Sequence, residues 1–519
     1  MRRRDFIKYG SLLTTVPLVL NGQALHALGN SMFLQSPASI RPDRKLILVQ
    51  LNGGNDGLGT FVPLDHYDNL QKARSNIIIP QSNLISYTDT IGLHPHFPRA
   101  KTLFDEEKML LIQNVGYPEP NLSHFRSKDI VTTGSSSDVV LRSGWMGRML
   151  NDLHPDYPEG YPSESDPHPI ALTIGSSNSQ TCQGYTSNLS AVIKNLNTQY
   201  DSPDNPVSYP DTPFGDEMKY ITNVMKQTEV YLKAVTEAAS KADNLSALYP
   251  ASDNKLSDQL RIVARLIAGG LKTQVYVVSL GGWDTHSGQV ADGAPEEGRH
   301  RTLLSTLSDA LYAFQDDIKL LGVEDDVIGL VFSEFGRRIK SNASFGTDHG
   351  TSWPAMLFGS RINPTVLGSN PVIPDQVEKK DNLPMQFDFR SVYASIFKEW
   401  FEADDTAIEQ VLFDKFETLP ILKKDTTKII KQRAEDEGIK LYPNPVNDFA
   451  TLAFTVQEER AIIQVFSSEG KKLSNLFSRT LTAGKHEFSL DFSHLPAGSY
   501  YLAYINGLNR KTIPFLKLK

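Results

Sequence analysis

The hydrophobic pattern of this chain is a series of short apolar runs, each stopping abruptly at glycine and polar residues. Residues 45–51 (Lys-Leu-Ile-Leu-Val-Gln-Leu) lead straight into Asn52-Gly53-Gly54-Asn55-Asp56-Gly57. Residues 109–115, 275–280, 327–332 and 354–359 are four more runs of the same kind. Apolar runs of about 4–8 residues bounded by turn signals predict buried strands. Between them the period becomes helical: residues 101–108, 216–242 (Met218, Ile221, Val224, Met225), 256–271 (Leu260, Val263, Leu266, Ile267), 299–321 (Leu303, Leu307, Leu311, Phe314, Ile318) and 391–401. That alternation predicts an α/β body with a mostly parallel sheet sandwiched by helices. Residues 151–216, rich in Pro, Ser, Asn and Tyr, are expected to be a loop-rich insertion covering one edge.

The pattern changes near residue 421. Residues 422–440 are charged and linker-like. Residues 441–519 carry period-2 runs at 450–456, 461–467, 487–492, 499–505 and 511–518, with turns at Glu469-Gly470, Ala483-Gly484 and Pro496-Ala497-Gly498. This predicts a small antiparallel, Ig-like all-β sandwich.

At the other end, Arg3-Arg4-Asp5-Phe6-Ile7-Lys8 precedes an apolar stretch at 9–20 and small residues at 22–27. A charged, an apolar and a cleavable segment in that order predict a signal peptide over residues 1–27. Its Arg-Arg-x-Phe-x-Lys core resembles a twin-arginine signal, which implies the twin-arginine export machinery as a partner. No other run reaches the ~18 apolar residues of a membrane span, so none is expected in the mature protein. A formal net charge of −8 argues against a nucleic-acid partner. The one cysteine, Cys182, excludes an internal disulfide and a Cys-built zinc site.

Candidate chemistry gathers where the runs stop. The first ends at Asp56, the third at Gly281-Gly282-Trp283-Asp284-Thr285-His286, and the fourth at Glu334. Just beyond lies Gly346-Thr347-Asp348-His349-Gly350. Open α/β sheets build sites at the carboxyl ends of their strands, so these residues are expected to converge there. After the second run, Gly116–Pro120 and Asn121 form a loop feeding a helix that starts near Ser123 and His124. A serine there is a cap or, since helix N-termini favour anions, a nucleophile.

Two resemblances follow from these motifs. Tyr442-Pro443-Asn444-Pro445-Val446, residues 465–470 and 495–501, and the Lys-rich end resemble a type A sorting domain of the type IX secretion system. This implies type IX export machinery as a partner, with secretion or attachment at the outer cell surface. Residues 51–57, Leu93-His94-Pro95, Ser123-His124-Phe125, Gly144–Arg148, 281–289, 333–337, 346–350 and 388–390 resemble the family of domains of unknown function numbered 1501. That family looks like a branch of the alkaline phosphatase and sulfatase superfamily. The resemblance implies an alkaline phosphatase-like fold over about residues 45–421, a small anionic ester as substrate, and one or two divalent ions. Carried over, the pattern makes Asp284, His286 and His349, with Asp348, ligands of one ion, and Asp56 with Glu334 those of another. Ser123 falls at the nucleophile's place, beside His124, and Arg126 and Arg337 are expected to meet the ester's charge. Phe335 stands where the superfamily shows a histidine. Carboxylate and imidazole donors suit Zn²⁺ or Mn²⁺, and an oxygen-rich second site Mg²⁺ or Ca²⁺. The expected activity is hydrolysis of phosphate or sulfate esters; the alternative is a secreted or cell-surface binding protein that keeps the fold and a structural metal.

Overall fold

A computed structural model describes residues 43–423 apart from 156, 159–160, 164–166, 197–208 and 252, and residues 440–518 apart from 457–458, 468–471, 483 and 507–508; two short strands are also described at Val19–Leu20 and Gln23–Ala24. The signal segment 1–27, those strands aside, and most of the 422–440 linker lie outside the described residues. The chain divides into two compact units, one ending at Lys423 and the other beginning at Lys424.

The first unit is built on a nine-stranded sheet. Its strands are β1 (Lys45–Asn52), β2 (Met109–Gly116), β3 (Ala171–Ile174), β4 (Ser190–Ile193), β5 (Val275–Gly281) and β6 (Val327–Ser333). A hairpin of β7 (Gly336–Ser341) and β8 (Thr347–Gly350) stands outside it and leads to β9 (Trp353–Phe358). The short β10 (Val366–Leu367) and β11 (Phe387–Asp388) both pair with β2. The spatial order is β10-β2-β9-β6-β1-β5-β3-β4. All pairings are parallel except those of β9, which is antiparallel to both neighbours. Two strands, β3 and β4, lie in the stretch expected to be loop; each is only four residues long and flanked by polar turn residues.

Side chains alternate across the sheet and fill two cores. Ile47, Val49 and Leu51 face one, packed by α1 (Pro98–Asp105), α4 (Pro213–Lys241), α5 (Lys255–Ala268) and α6 (Arg299–Leu320). Leu46 and Leu48 face the other, under α2 (His124–Thr133), α3 (Trp145–Leu153), α7 (Phe389–Ser395) and α8 (Asp405–Leu412). Cys182 is fully buried in this second core, and burial pushes its thiol pKa up to about 12. No helix among the described residues is long and apolar enough to cross a membrane.

The second unit pairs a three-stranded with a four-stranded antiparallel sheet. Leu452, Phe454 and Leu490 of one and Ile463, Val465, Leu502 and Phe515 of the other share one apolar core, so the unit is a β-sandwich. Its strand Lys472–Leu481 escaped the period-2 reading because two register shifts against Glu459–Ser467 break the alternation.

Gly329 of β6 lies opposite Phe358 of β9, and a Cβ there would overlap the Phe358 ring. Gly329→Ala is therefore expected to cost about 1–3 kcal/mol by overpacking. Gly175→Ala, which meets open space, should leave the urea unfolding midpoint unchanged.

Candidate metal centre

At the carboxyl edge of the parallel strands, Gly53 and Gly54 adopt φ of +127° and +85° and bring the chain hard against the Trp283–Asp284 backbone. A side chain at Gly53 would overlap that backbone, which is why the turn after β1 needs glycine. Arg337, buried on β7, fastens the same place. Its guanidinium donates to the carbonyls of Gly54 (2.9 Å), Thr347 (2.8 Å), Trp283 (2.9 Å) and Gly53, and to Asp284 Oδ1 (2.8 Å).

Three imidazoles converge on Asp284. His286 follows β5, His349 lies on β8, and His124 opens α2. Their Nε2 atoms stand 3.2 Å (His286) and 3.2 Å (His349) from Asp284 Oδ1 and 3.4 Å (His124) from Oδ2. Each Nδ1 is held by an acceptor: Glu334 Oε1 at 2.9 Å for His124, Asp348 Oδ1 at 3.0 Å for His286, and the Leu122 carbonyl at 2.7 Å for His349. Acceptors at all three Nδ1 atoms place the ring protons there and turn the Nε2 lone pairs inward. Glu334 is itself fixed by the Gly53 N–H at 2.7 Å, and Asp348 by Asn342 at 3.2 Å. Phe335 is buried against the rings of His124 and His349, with centroids 4.8 and 4.5 Å away.

Two details fit a cation here. The Nε2 atoms of His286 and His349 are 2.9 Å apart, and two lone pairs that close need a cation or proton between them. The Nε2 of His124 is buried without a hydrogen-bond partner. His124, Asp284 and His349 offer ligand-type atoms within 4.8 Å of one another, close enough to share a metal ion. Burial raises the Asp284 pKa, but hydrogen bonding and charge from Arg337, then His349 and His286, bring it down to about 2. Burial also lowers the His349 pKa, favouring the neutral ring that a metal requires.

Not every expected residue joins this group. Asp56 is fully buried elsewhere, with Oδ2 held by Arg74 at 2.7 Å and Gln289 at 2.6 Å, and no second donor group is gathered among the described residues. Asp56 is paired with Arg74 and Glu334 with His124. Asp348 holds His286 through its far nitrogen rather than facing the centre. Arg337 spends its donors on backbone and Asp284. Arg126 pairs with Asp129 and donates to the carbonyls of Ser136, Ser137 and Val139. Ser123 sits exposed at the start of α2, and its side chain makes no capping hydrogen bond. The reading from sequence missed the buried cluster of Asp56, Arg74, Gln289, His300 and His94. The stretches around Asp56, His94 and Gln289 carried the family motifs, but Arg74 lies in an otherwise ordinary segment and nothing in the sequence joined them.

The chain belongs to the family described as "Protein of unknown function (DUF1501)", whose model matches residues 107–412. Residues 440–516 match the secretion system C-terminal sorting domain, so the chain is exported and either secreted or attached at the outer cell surface. A search of proteins of curated function finds no match. Among solved structures, PorZ, a surface component of the type-IX secretion system of Porphyromonas gingivalis, is 18% identical over 17% of this chain and 12% of that one, with a TM-score of 0.13. A protein in the alkaline phosphatase superfamily from Vibrio parahaemolyticus is 12% identical over 92% of this chain and 80% of that one, with a TM-score of 0.33. A phosphonate monoester hydrolase from Silicibacter pomeroyi is 9% identical over 91% and 89%, with a TM-score of 0.29.

The buried cluster generates a pH prediction. Burial brings the His300 pKa to about 4 and, with the charges of His300 and His96, that of His94 to about 2. Both lie below the ordinary 6.5, so their contribution to stability is complete above that pH and is lost as pH falls toward 4 and below. Burial raises the Asp56 pKa, but the charge and hydrogen bond of Arg74 leave it below 3.8, so its contribution is lost only under that value. The urea midpoint should fall steadily from about pH 7 to pH 4, and His94→Gln should flatten that slope.

Proposed function

We propose that this protein is a secreted metal-dependent hydrolase of phosphate or sulfate esters that works with one ion. The observation that carries this reading is the set of three imidazoles, each tied at Nδ1 and turned by Nε2 toward the Asp284 carboxylate. Asp284, His124, His286 and His349 would hold the ion, and their nitrogen and oxygen donors suit Zn²⁺ or Mn²⁺. When bound, the ion supplies Lewis-acid polarisation of an ester oxygen. The chain's own residues do the rest. Glu334 and Asp348 fix which nitrogen of each ring is protonated, and Arg337 keeps the Asp284 carboxylate ionised and aimed. Phe335 shields one side of the rings from water. Ser123, exposed beside His124 at a helix start, is the candidate nucleophile. The motif resemblance to the phosphatase and sulfatase superfamily supports the same reaction class.

A second reading, a binding protein with a structural ion, is favoured by the engagement of Arg126 and Arg337 away from any substrate. Metal analysis of the purified protein together with turnover of an aryl phosphate and an aryl sulfate separates the two. The hydrolase reading expects one ion per chain, lost in His349→Ala and Asp284→Ala, and turnover that requires it. Glu334→Gln should weaken metal affinity about 10–100-fold by freeing the His124 ring. Ser123→Ala should abolish turnover; activity that survives it assigns the attack to water. A bound ion with no turnover of either ester class sinks the hydrolase and leaves the binder.

A further inference from the structure

The sheet face beneath α2 changes character along its strands. On β1 the alternating positions of that face are Leu46, Leu48, Gln50 and Asn52. The first two lie in the apolar core, whereas Gln50 and Asn52 line an open groove of about 850 Å³. β5 repeats the change from Val275 and Val277 to Ser279, and β3 from Ala171 to Thr173. β3 stops at Ile174 while β5 runs on to Gly281, so the groove opens where the sheet loses a strand. Its walls come from α2, α5 and the loop at 175–180, and its size falls within the ~300–1,000 Å³ of ligand sites.

The lining has a definite chemistry. Gln50 is nearly fully buried, yet its Nε2 has no hydrogen-bond partner, and Asn52 Oδ1 is likewise buried and unpartnered. Buried amides left unsatisfied call for a polar ligand or water. Lys128, Lys194 and Lys255 line the groove, and among the described residues Asp258 is the single acidic one of the lining. None of the three lysines enters an ion pair recorded among the described residues. Among the described residues no aromatic side chain lines it, so none of them offers a platform for nucleobases. The projecting edge of β5 is closed to an extended peptide, because the Gln259 side chain already takes the Ser279 N–H and C=O, each at 3.0 Å. What remains is amide, hydroxyl and ammonium, the complement of a hydroxyl-rich anion.

The groove also shares a helix face with the candidate metal centre. His124, Lys128 and Thr132 recur every four residues on one face of α2, ~6 Å apart along its axis, and the last two line the groove. We propose that the groove binds an acidic oligosaccharide, bearing carboxylate or sulfate groups, and delivers its charged ester to the imidazole–carboxylate group. The delivery rests on the hydrolase reading above; the binding does not.

Calorimetry on the full chain tests it with four probes of similar length: an oligogalacturonate, a sulfated dextran oligosaccharide, a neutral dextran oligosaccharide and a short-chain polyphosphate. The acidic sugars should bind at least about tenfold more tightly than the neutral one, with affinity falling as salt rises. The triple variant Lys128→Ala, Lys194→Ala, Lys255→Ala should weaken them at least about tenfold, and Gln50→Leu should weaken them with an unchanged unfolding midpoint. Equal affinity for neutral and acidic sugars, or indifference to both variants, overturns the proposal. Polyphosphate binding as tight as that of the acidic sugars overturns the sugar assignment and leaves a bare anion site. Aryl ester turnover keeps the two readings apart. Acidic sugars that bind, with aryl esters inert, leave the groove standing and the hydrolase fallen; turnover without sugar binding does the reverse.

Discussion

Arg337 is the interaction on which the carboxyl edge of the sheet depends. Its buried guanidinium joins four carbonyls from three separate segments, those after β1 and β5 and that of β8, and adds the Asp284 carboxylate. A planar fork of donors reaches all of these at once, whereas a lysine would bring a point charge and leave carbonyls unpaired in the interior. The positions of Asp284, of the Gly53 N–H that holds Glu334, and through Glu334 of His124 all follow from that one clamp. The donors of this arginine, expected to meet an ester's charge, hold the strand ends in register.

The carboxylates at the strand ends show how little a residue's identity says about its work. Asp284 faces the imidazoles. Glu334 and Asp348 stand behind them, each setting a ring's protonated nitrogen. Asp56, with the most suggestive motif, has turned to Arg74, so the charge a second cation would supply is already covalently part of the chain. Phe335 closes the remaining side with a ring. Together these features leave Asp284 as the one carboxylate of the set that faces the three imidazoles.

Much of this was legible in the sequence. β1, β2, β5 and β6 were readable because each is a long apolar run broken by polar or glycine-rich turns, and their shared edge followed from parallel pairing. His286, His349 and Asp284 were legible for the same reason, as they lie on or just past strand ends. β3 and β4 were not, since four residues among prolines and serines carry too little period to register. The direction of β9 was hidden too: the β7–β8 hairpin reverses the chain, so β9 enters the sheet from the site edge. That reversal brings His349 beside residues at the ends of strands running the other way. The bonds of Arg337 to Gly53 and of Gln289 to Asp56 span 284 and 233 positions, which no local pattern encodes.

Cys182 has a practical consequence. It is the one thiol in 519 residues, sealed in the core and held protonated by its surroundings. Outside the cell, where oxidation would otherwise link copies through sulfur, the folded chain presents no thiolate to react. Its cohesion there owes nothing to covalent bridges, and reductants leave it untouched. The same sulfur becomes reactive only when the core opens, so alkylation at Cys182 reads out opening of the α/β unit and is silent to events in the sandwich.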